Sequence, residues 1–268
     1  MKQRIITGTL LVIILGLFIY FGEGNLEFLF SGLCVLLSLI GVIEFSRMIN
    51  KGKEFALINY LSVPFTFVFT LLSVIFFTAS WYYLFVFVYL VSLILIYALI
   101  FVFCNNFQIK DFSEQLLTIF YTSLGFIGFA YLRIISIHLI IYLFLVAMLT
   151  DVFAYFIGIK FGKHRLALKI SPKKSVEGAV AGLVIGGTLS ALYAYFLDVF
   201  DQSIIIVLLI SFCLSVISQI GDLVASKFKR GYEIKDYSNI FPGHGGVLDR
   251  FDSSMFAALF LMVIMMVM

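Results

Sequence analysis

The residues able to do chemistry in this chain are charged groups set inside or beside long apolar runs. Asp151 stands within Thr150-Asp151-Val152-Phe153-Ala154-Tyr155, Asp222 near the end of another run, and Asp249, Arg250 and Asp252 at the head of the last. A charge at such a place is costly, so each asks for a partner or a task. Ser211, Ser215, Ser218, Asp222 and Ser226 recur every three or four residues and share one helix face, which Lys229 continues if the helix persists. Hydroxyls bonding back to their helix or packing on neighbours account for the serines. They do not account for Asp222, which needs a cation or a proton. Asp249, Asp252 and Ser253 share a second face. Carboxylates gathered from separate helices suit oxygen-preferring Mg²⁺, and ion pairs with Arg250 or Lys235 are the alternative; spacing alone leaves these two readings nearly even. Glu44 is expected to form a structural ion pair with Arg47, three residues on.

Two basic loops accompany these carboxylates. In Lys169-Ile170-Ser171-Pro172-Lys173-Lys174-Ser175, Pro172 is expected to open a helix with Ser171 as its cap. Lys173, Lys174 and Ser175 would then stand in a first turn that favours an anion, a phosphate site; plain contact with lipid headgroups is the alternative. The richer loop, residues 226–252, holds Gly243, Gly245 and Gly246, which let backbone amides approach a ligand, with Pro242 stiffening the entry. The turn is expected to face solvent. Mg²⁺-type carboxylates, phosphate donors and a membrane surface together point to a nucleotide meeting a lipid phosphate.

The elements that must position these groups are membrane helices. Of the 268 residues, 63% are hydrophobic and 12% charged, with a mean hydropathy of +1.14; ordinary soluble domains are about one quarter charged. A soluble globular enzyme, a disordered chain, a disulfide scaffold and a collagen-like chain are excluded. The net charge of +3 gives no reason to expect a nucleic-acid partner. Apolar runs long enough to cross a bilayer predict nine helices, near 5–21, 28–49, 57–77, 82–103, 116–136, 139–158, 176–197, 203–225 and 248–268. The first is expected to be a retained helix rather than a signal peptide. With the N-terminus inside and the C-terminus outside, every Lys and Arg except Arg133 falls on the cytoplasmic side, from Lys2 and Arg4 through Lys53 to Arg250. Glu23, Glu27, Asp198 and Asp201 fall outside. The fold class is therefore an all-α polytopic membrane protein. Residues 1–137, helices one to five, form a lipid-facing scaffold; residues 138–268, helices six to nine with the two cytoplasmic loops, form the catalytic region. Gly178, Gly182 and Gly186 read as a close-packing face. Cys34, Cys104 and Cys213 read as small packing residues, and His138 and His164 as incidental.

The loop residues Ser226, Lys229-Arg230, Lys235-Asp236, Pro242, His244-Gly245-Gly246, Asp249-Arg250 and Asp252 resemble the signature of the CDP-diacylglycerol synthase (phosphatidate cytidylyltransferase) family. Every fixed position of that pattern is met. Asp151-x-x-Ala154-Tyr155-x-x-Gly158 and Ser171-Pro-Lys-Lys-Ser175 are also similar to family elements and occur in the family's order. The specific resemblance covers residues 151–252. It implies an enzyme of phospholipid biosynthesis, with CTP and membrane phosphatidate as its substrates. CMP would pass from CTP to phosphatidate, giving CDP-diacylglycerol and pyrophosphate. It implies Asp222 and Asp249 as Mg²⁺ ligands, with room for a second cation. Lys173, Lys174, Lys229, Arg230 and Lys235 would hold triphosphate or lipid phosphate, together with Ser175, Ser226 and Arg250. His244, Gly245 and Gly246 would line the nucleotide. Asp252 and Asp236 would orient Arg250 and the lysines, and Asp151 would stand behind them or touch substrate. Asp222, Asp249, Lys235 and Asp252 form the catalytic set this resemblance implies. It further implies a bacterial cell membrane, an active site facing the cytoplasm, and compatibility with a homodimer. The alternatives are a CTP-dependent lipid kinase of the dolichol type and, more remotely, a secondary transporter, for which no inverted repeat is found.

Overall fold

The computed structural model describes residues 2–21, 26–51 and 57–268, without the side chains of residues 2–6 and 27. Lys2, Arg4, Glu23, Glu27 and Lys53, part of the topology expectation, therefore lie outside the described side chains. Within these residues the apolar runs fold as helices: α1 (Lys2–Phe21), α2 (Glu27–Ile49), α3 (Ser62–Phe76), α4 (Tyr82–Phe103), α5 (Ile109–Ile135) and α6 (Ile137–Phe161). These are followed by α7 (Val176–Ala181), α8 (Gly187–Phe196), α9 (Ile204–Gly231) and α10 (Leu248–Val267). A π-helical segment, Gly182–Gly186, joins α7 to α8, so the three form one span. Among the described residues, eight helices are long and apolar enough to cross a membrane by length and composition, and the stretch Thr7–Phe21 of α1 is a shorter apolar helix.

Two boundaries differ usefully from expectation. The fifth helix begins earlier, at Ile109, where Gln108 and Asp111 form a reciprocal capping box. The eighth expected span, α9, persists to Gly231, so Lys229 and Arg230 are helical and Lys229 stays on the face of Asp222. The larger correction concerns the first basic loop. Ser171–Ser175 is not the start of a helix but a strand, β2, paired antiparallel with β1 (Arg165–Ala167). The residue before a proline is pushed toward extended backbone, and Pro172, lacking an N–H, is tolerated in a two-stranded edge. The helix starts one residue past the strand, with extended Ser175 as its cap, its hydroxyl accepting the Gly178 amide at 3.2 Å. Lys173 and Lys174 thus project from a strand.

The glycine face of the seventh span does pack closely, and against the helix that carries Asp151. A Cβ at Gly178 would lie 2.5 Å from the Ala154 carbonyl oxygen, one at Gly182 2.5 Å from that of Thr150, and one at Gly186 2.7 Å from the Thr150 nitrogen. Backbone-to-backbone approach here sets the height of α6 against its neighbour. The main apolar core joins α2, α5, α6, α9 and α10 around Phe45, Phe126, Leu143, Leu214 and Met255. A second cluster around Phe69, Leu93, Tyr97 and Ile119 holds α3 and α4 to α5. Cys34 is buried as expected; Cys104 and Cys213 are exposed. Asp198 and Asp201 lie in the link before α9 with left-handed backbone, φ 51° and 49°.

Candidate active site

The polar face of α9 lies against α6 and α10. From the top, the Ser211 hydroxyl meets the Tyr142 hydroxyl at 2.6 Å and the Ser215 hydroxyl meets that of Thr150 at 2.8 Å. One turn below buried Ser218, Asp222 receives the Lys174 ammonium from β2 and, more loosely, the Ser226 hydroxyl at 3.3 Å. Asp151 faces Asp222, Lys174 and Ser253 from α6, while Asp252 comes from α10 within electrostatic reach of Asp222, Asp151 and Lys229. Three helices and one strand therefore bring Asp151, Asp222, Asp252 and Lys174 together, as their spacing along separate elements could only hint.

Lys229 is the second cation of this assembly. Its ammonium lies 2.7 Å from Asp249 Oδ1 and 3.9 Å from Asp252 Oδ2, so the two carboxylates sharing a face of α10 share one lysine. It also stands 5.3 Å from the ring centre of Tyr237, whose phenol burial pushes up from its ordinary pKa, with Tyr121 adding to the shift. Asp249 Oδ2 accepts the backbone amides of Tyr237 at 2.8 Å and Gly246 at 2.9 Å. The carboxylate is thus both an ion-pair partner and the anchor of the glycine turn.

The turn itself differs from expectation. Gly245 and Gly246 are buried rather than solvent-facing. The amides of His244 and Gly245 donate to the Phe241 carbonyl oxygen at 2.8 and 3.1 Å, and that of Gly246 to Asp249, so these amides have their partners within the turn. Gly243 and Gly245 have φ of 78° and 84°, the left-handed region that favours glycine. A Cβ on Gly245 would also lie 2.7 Å from Asp249 Oδ2, and one on Gly246 2.3 Å from Glu44 Oε1. Above the turn, Lys235, Asp236, Asn239, Gly243, His244, Gly245 and Arg250 line an open cleft of about 370 Å³.

Two contributors come from the first helices, where sequence reasoning placed only scaffold. Glu44 is not spent on Arg47: no such pair occurs among the described residues. Its carboxylate accepts the Ser238 hydroxyl at 2.5 Å and the amides of Val247 and Leu248 at 3.0 Å each. Thr7 Oγ1 lies 2.6 Å from His244 Nδ1 and 3.3 Å from the Pro242 carbonyl oxygen. Neither contact has a local sequence signal, since the partners are some two hundred residues apart. Of the remaining candidates, Lys173 is exposed on β2, and Arg230 is exposed with its guanidinium on the Ile234 carbonyl oxygen at 3.2 Å. His164 pairs with Glu177 at 2.6 Å, and His138 Nδ1 lies 3.2 Å from the Tyr193 hydroxyl; both stand apart from the aspartates.

The donor set suits a hard cation in kind, all carboxylate oxygen. Among the described residues no three His, Cys, Asp or Glu side chains are grouped to hold a metal ion. Mg²⁺ commonly takes only one or two carboxylates and completes its shell with water and substrate phosphates. Asp222 fits that use best, with Oδ1 receiving only the long Ser226 contact and the Lys174 ammonium already marking Oδ2 as a cation position.

Fold and site together define a class: an all-α, multi-spanning membrane protein that gathers aspartates from several helices beside a basic, glycine-bearing loop. The chain belongs to the cytidylyltransferase family, whose model matches residues 2–268. It is 43% identical over 152 residues to the phosphatidate cytidylyltransferases of Staphylococcus haemolyticus and Staphylococcus saprophyticus, and 40% to that of Staphylococcus epidermidis. Each match covers 57% of this chain and 58% of the relative, so it spans a little over half the length of those proteins.

Proposed function

We propose that this protein transfers CMP from CTP to phosphatidate, giving CDP-diacylglycerol and pyrophosphate for phospholipid biosynthesis. The observation that carries the reading is the way residues 226–252 fold. They line a cleft with Lys235, His244 and Arg250, and they bring Lys229 to Asp249 and to Asp252, which lies within electrostatic reach of Asp222. A nucleotide triphosphate over the cleft and a lipid phosphate from the membrane would meet beside these aspartates. The family membership of this chain and its similarity to staphylococcal phosphatidate cytidylyltransferases favour CTP and phosphatidate as the pair.

In the proposed step a phosphatidate oxygen attacks the α-phosphorus of CTP in line. The new P–O bond forms as the bond to the β-phosphate oxygen breaks, and pyrophosphate leaves. Protein catalysis of such a transfer is positioning and charge neutralisation. Lys173 and Lys174 on β2 would receive one phosphate group, and Arg230, Lys235 and Arg250 the other. Lys229 holds Asp249 and Asp252 in register. Ser175 caps the helix beside Lys174 rather than offering its hydroxyl outward. Mg²⁺ is assigned to Asp222 and Asp249, and when bound it supplies positive charge for the phosphoryl oxygens. Asp151 and Asp236 are assigned to support of the neighbouring lysines.

The proposal includes nine spans with the N-terminus and the active site in the cytoplasm, and catalysis by residues 138–268 on a scaffold of residues 1–137. Arg133, the exception to this orientation, is accounted for by packing: buried at the end of α5, it donates from Nε to the Ile19 carbonyl oxygen at 2.8 Å. A homodimer in the bacterial cell membrane completes the reading. The deciding experiment supplies purified protein with phosphatidate, Mg²⁺ and CTP labelled at the α-phosphate. Label in the lipid is expected. Label remaining in soluble CDP would overturn the reading in favour of a lipid kinase.

A further inference from the structure

We propose that Glu44 is a positioning residue for this reaction, holding the start of α10, and with it the glycine turn and Asp249, in place from a helix of the scaffold half. The inference rests on the cytidylyltransferase reading for its meaning and on geometry for its existence. A helix begins with backbone N–H groups that have no partner in the helix. Val247, at the cap position of α10, has no side chain able to take one, and no side-chain cap is formed within the helix. Glu44 supplies the acceptor from α2: Oε1 takes the Val247 amide and Oε2 the Leu248 amide, each at 3.0 Å. Oε1 also takes the Ser238 hydroxyl at 2.5 Å, and Ser238 Oγ in turn accepts the Ile240 amide at 3.3 Å.

The chain from Tyr237 to Leu248 is thereby fastened by two carboxylates. Asp249 grips it at Tyr237 and Gly246, and Glu44 grips it at Ser238, Val247 and Leu248. Glu44 is only 2% exposed. Packing alone would be served more cheaply by a neutral side chain, because a buried charge in a membrane helix is costly. A carboxylate at a helix N-terminus, taking two amides at once, forms charge-assisted bonds and fixes direction as well as distance. Gly246 is the matching requirement, since any side chain there would enter the Glu44 carboxylate. The catalytic half of the molecule is therefore aligned by a residue outside the family signature. Glu44 touches no group assigned to substrate, so its effect passes through Asp249 and His244.

The test compares Glu44→Gln and Glu44→Asp with the parent chain in detergent, reading kcat, KM for CTP and hydrogen exchange at the amides of residues 246–248. Glu44→Gln should lower kcat at least about tenfold with KM for CTP changed less than about threefold, and should speed exchange at those amides. A shift of the turn by about 1 Å is enough for a loss of that size or larger. Glu44→Asp, which keeps the charge, should recover part of kcat. A folded Glu44→Gln protein with kcat within twofold of the parent, or with unchanged exchange, overturns the proposal. Should Glu44→Gln fail to fold, Ser238→Ala removes one of its donors and is read the same way: a several-fold fall in kcat supports the role, and an unchanged kcat overturns it. The exchange measurement needs no turnover, so a parent chain that puts no CMP on lipid would sink the reaction and leave the clamp to be decided by exchange alone.

Discussion

Two lysine–aspartate pairs of the same composition contribute to the site, and they are built differently. Lys174–Asp222 joins a strand to a helix and stays partly open, with side chains 29% and 24% exposed. Lys229–Asp249 joins two helices and is closed, at 10% and 2%, with two backbone amides on the second aspartate oxygen. An open pair can exchange its partner for a phosphate or a cation at little cost, because solvent screens both states. A closed pair cannot lose a member without leaving a buried charge. The hairpin side is thus suited to taking and releasing ligand, and the turn side to holding geometry.

The largest effect is expected where the closed pair is broken. Asp249→Asn should leave Lys229 with only the more distant Asp252, 3.9 Å away, as an ionised partner, costing up to about 3–5 kcal/mol of stability. It should also reduce turnover by about 1000-fold, the several kcal/mol of phosphoryl-charge stabilisation lost with a cation ligand. Melting temperature and initial rate at ordinary Mg²⁺ should fall together. A stable Asp249→Asn protein would break the contrast between the pairs, and an active one would remove Asp249 from the cation site.

Gly246→Ala comes next. The added carbon falls within 2.3 Å of Glu44 Oε1, so the turn or α2 must move, at about 1–3 kcal/mol for such overpacking and about 100-fold in rate for a displaced turn. Detergent melting and kcat again should drop together. Loss of activity at an unchanged melting temperature would mean that the turn meets ligand directly instead of being packed against Glu44.

On the open side the two readouts should separate. Lys174→Ala should raise apparent KM for a phosphate substrate by about tenfold, the worth of one hydrogen bond to a charged group. Its partly solvated ion pair contributes only about 0–1 kcal/mol to stability, so the melting temperature should hardly change. A large stability loss would show that the two pairs are equivalent after all. The smallest effect belongs to Lys173→Ala. Its side chain is exposed on β2, so a change in KM of about two- to threefold is expected, as for other exposed charges; a steady-state titration of both substrates checks it.

How far the sequence could be read depends on the range of the contact involved. The helices followed from runs of apolar residues, because a bilayer demands continuous local hydrogen bonding. The α9 stripe of Ser211, Ser215, Asp222 and Lys229 followed from helical period alone, and it does face its neighbours as one surface. The packing role of Gly178, Gly182 and Gly186 followed from the same arithmetic. Pro172, by contrast, reads equally as a helix opener or an edge-strand residue, and only pairing with Arg165–Ala167 chose the strand. The three glycines of the turn were visible as glycines, yet the left-handed backbone of Gly243 and Gly245 and the crowding of Gly245 by Asp249 and of Gly246 by Glu44 appear only in the packed turn.

By itself the sequence determined that this chain is a bundle of membrane helices carrying a cytidylyltransferase signature, since composition, period and motif are properties of neighbouring residues. Tertiary structure alone decided which cation each aspartate keeps, that Thr7 meets His244, and that Glu44 closes the start of α10. Those contacts join residues far apart along the chain. A helix reports its own face but not the face it will meet, so partner choice appears only when the helices have packed.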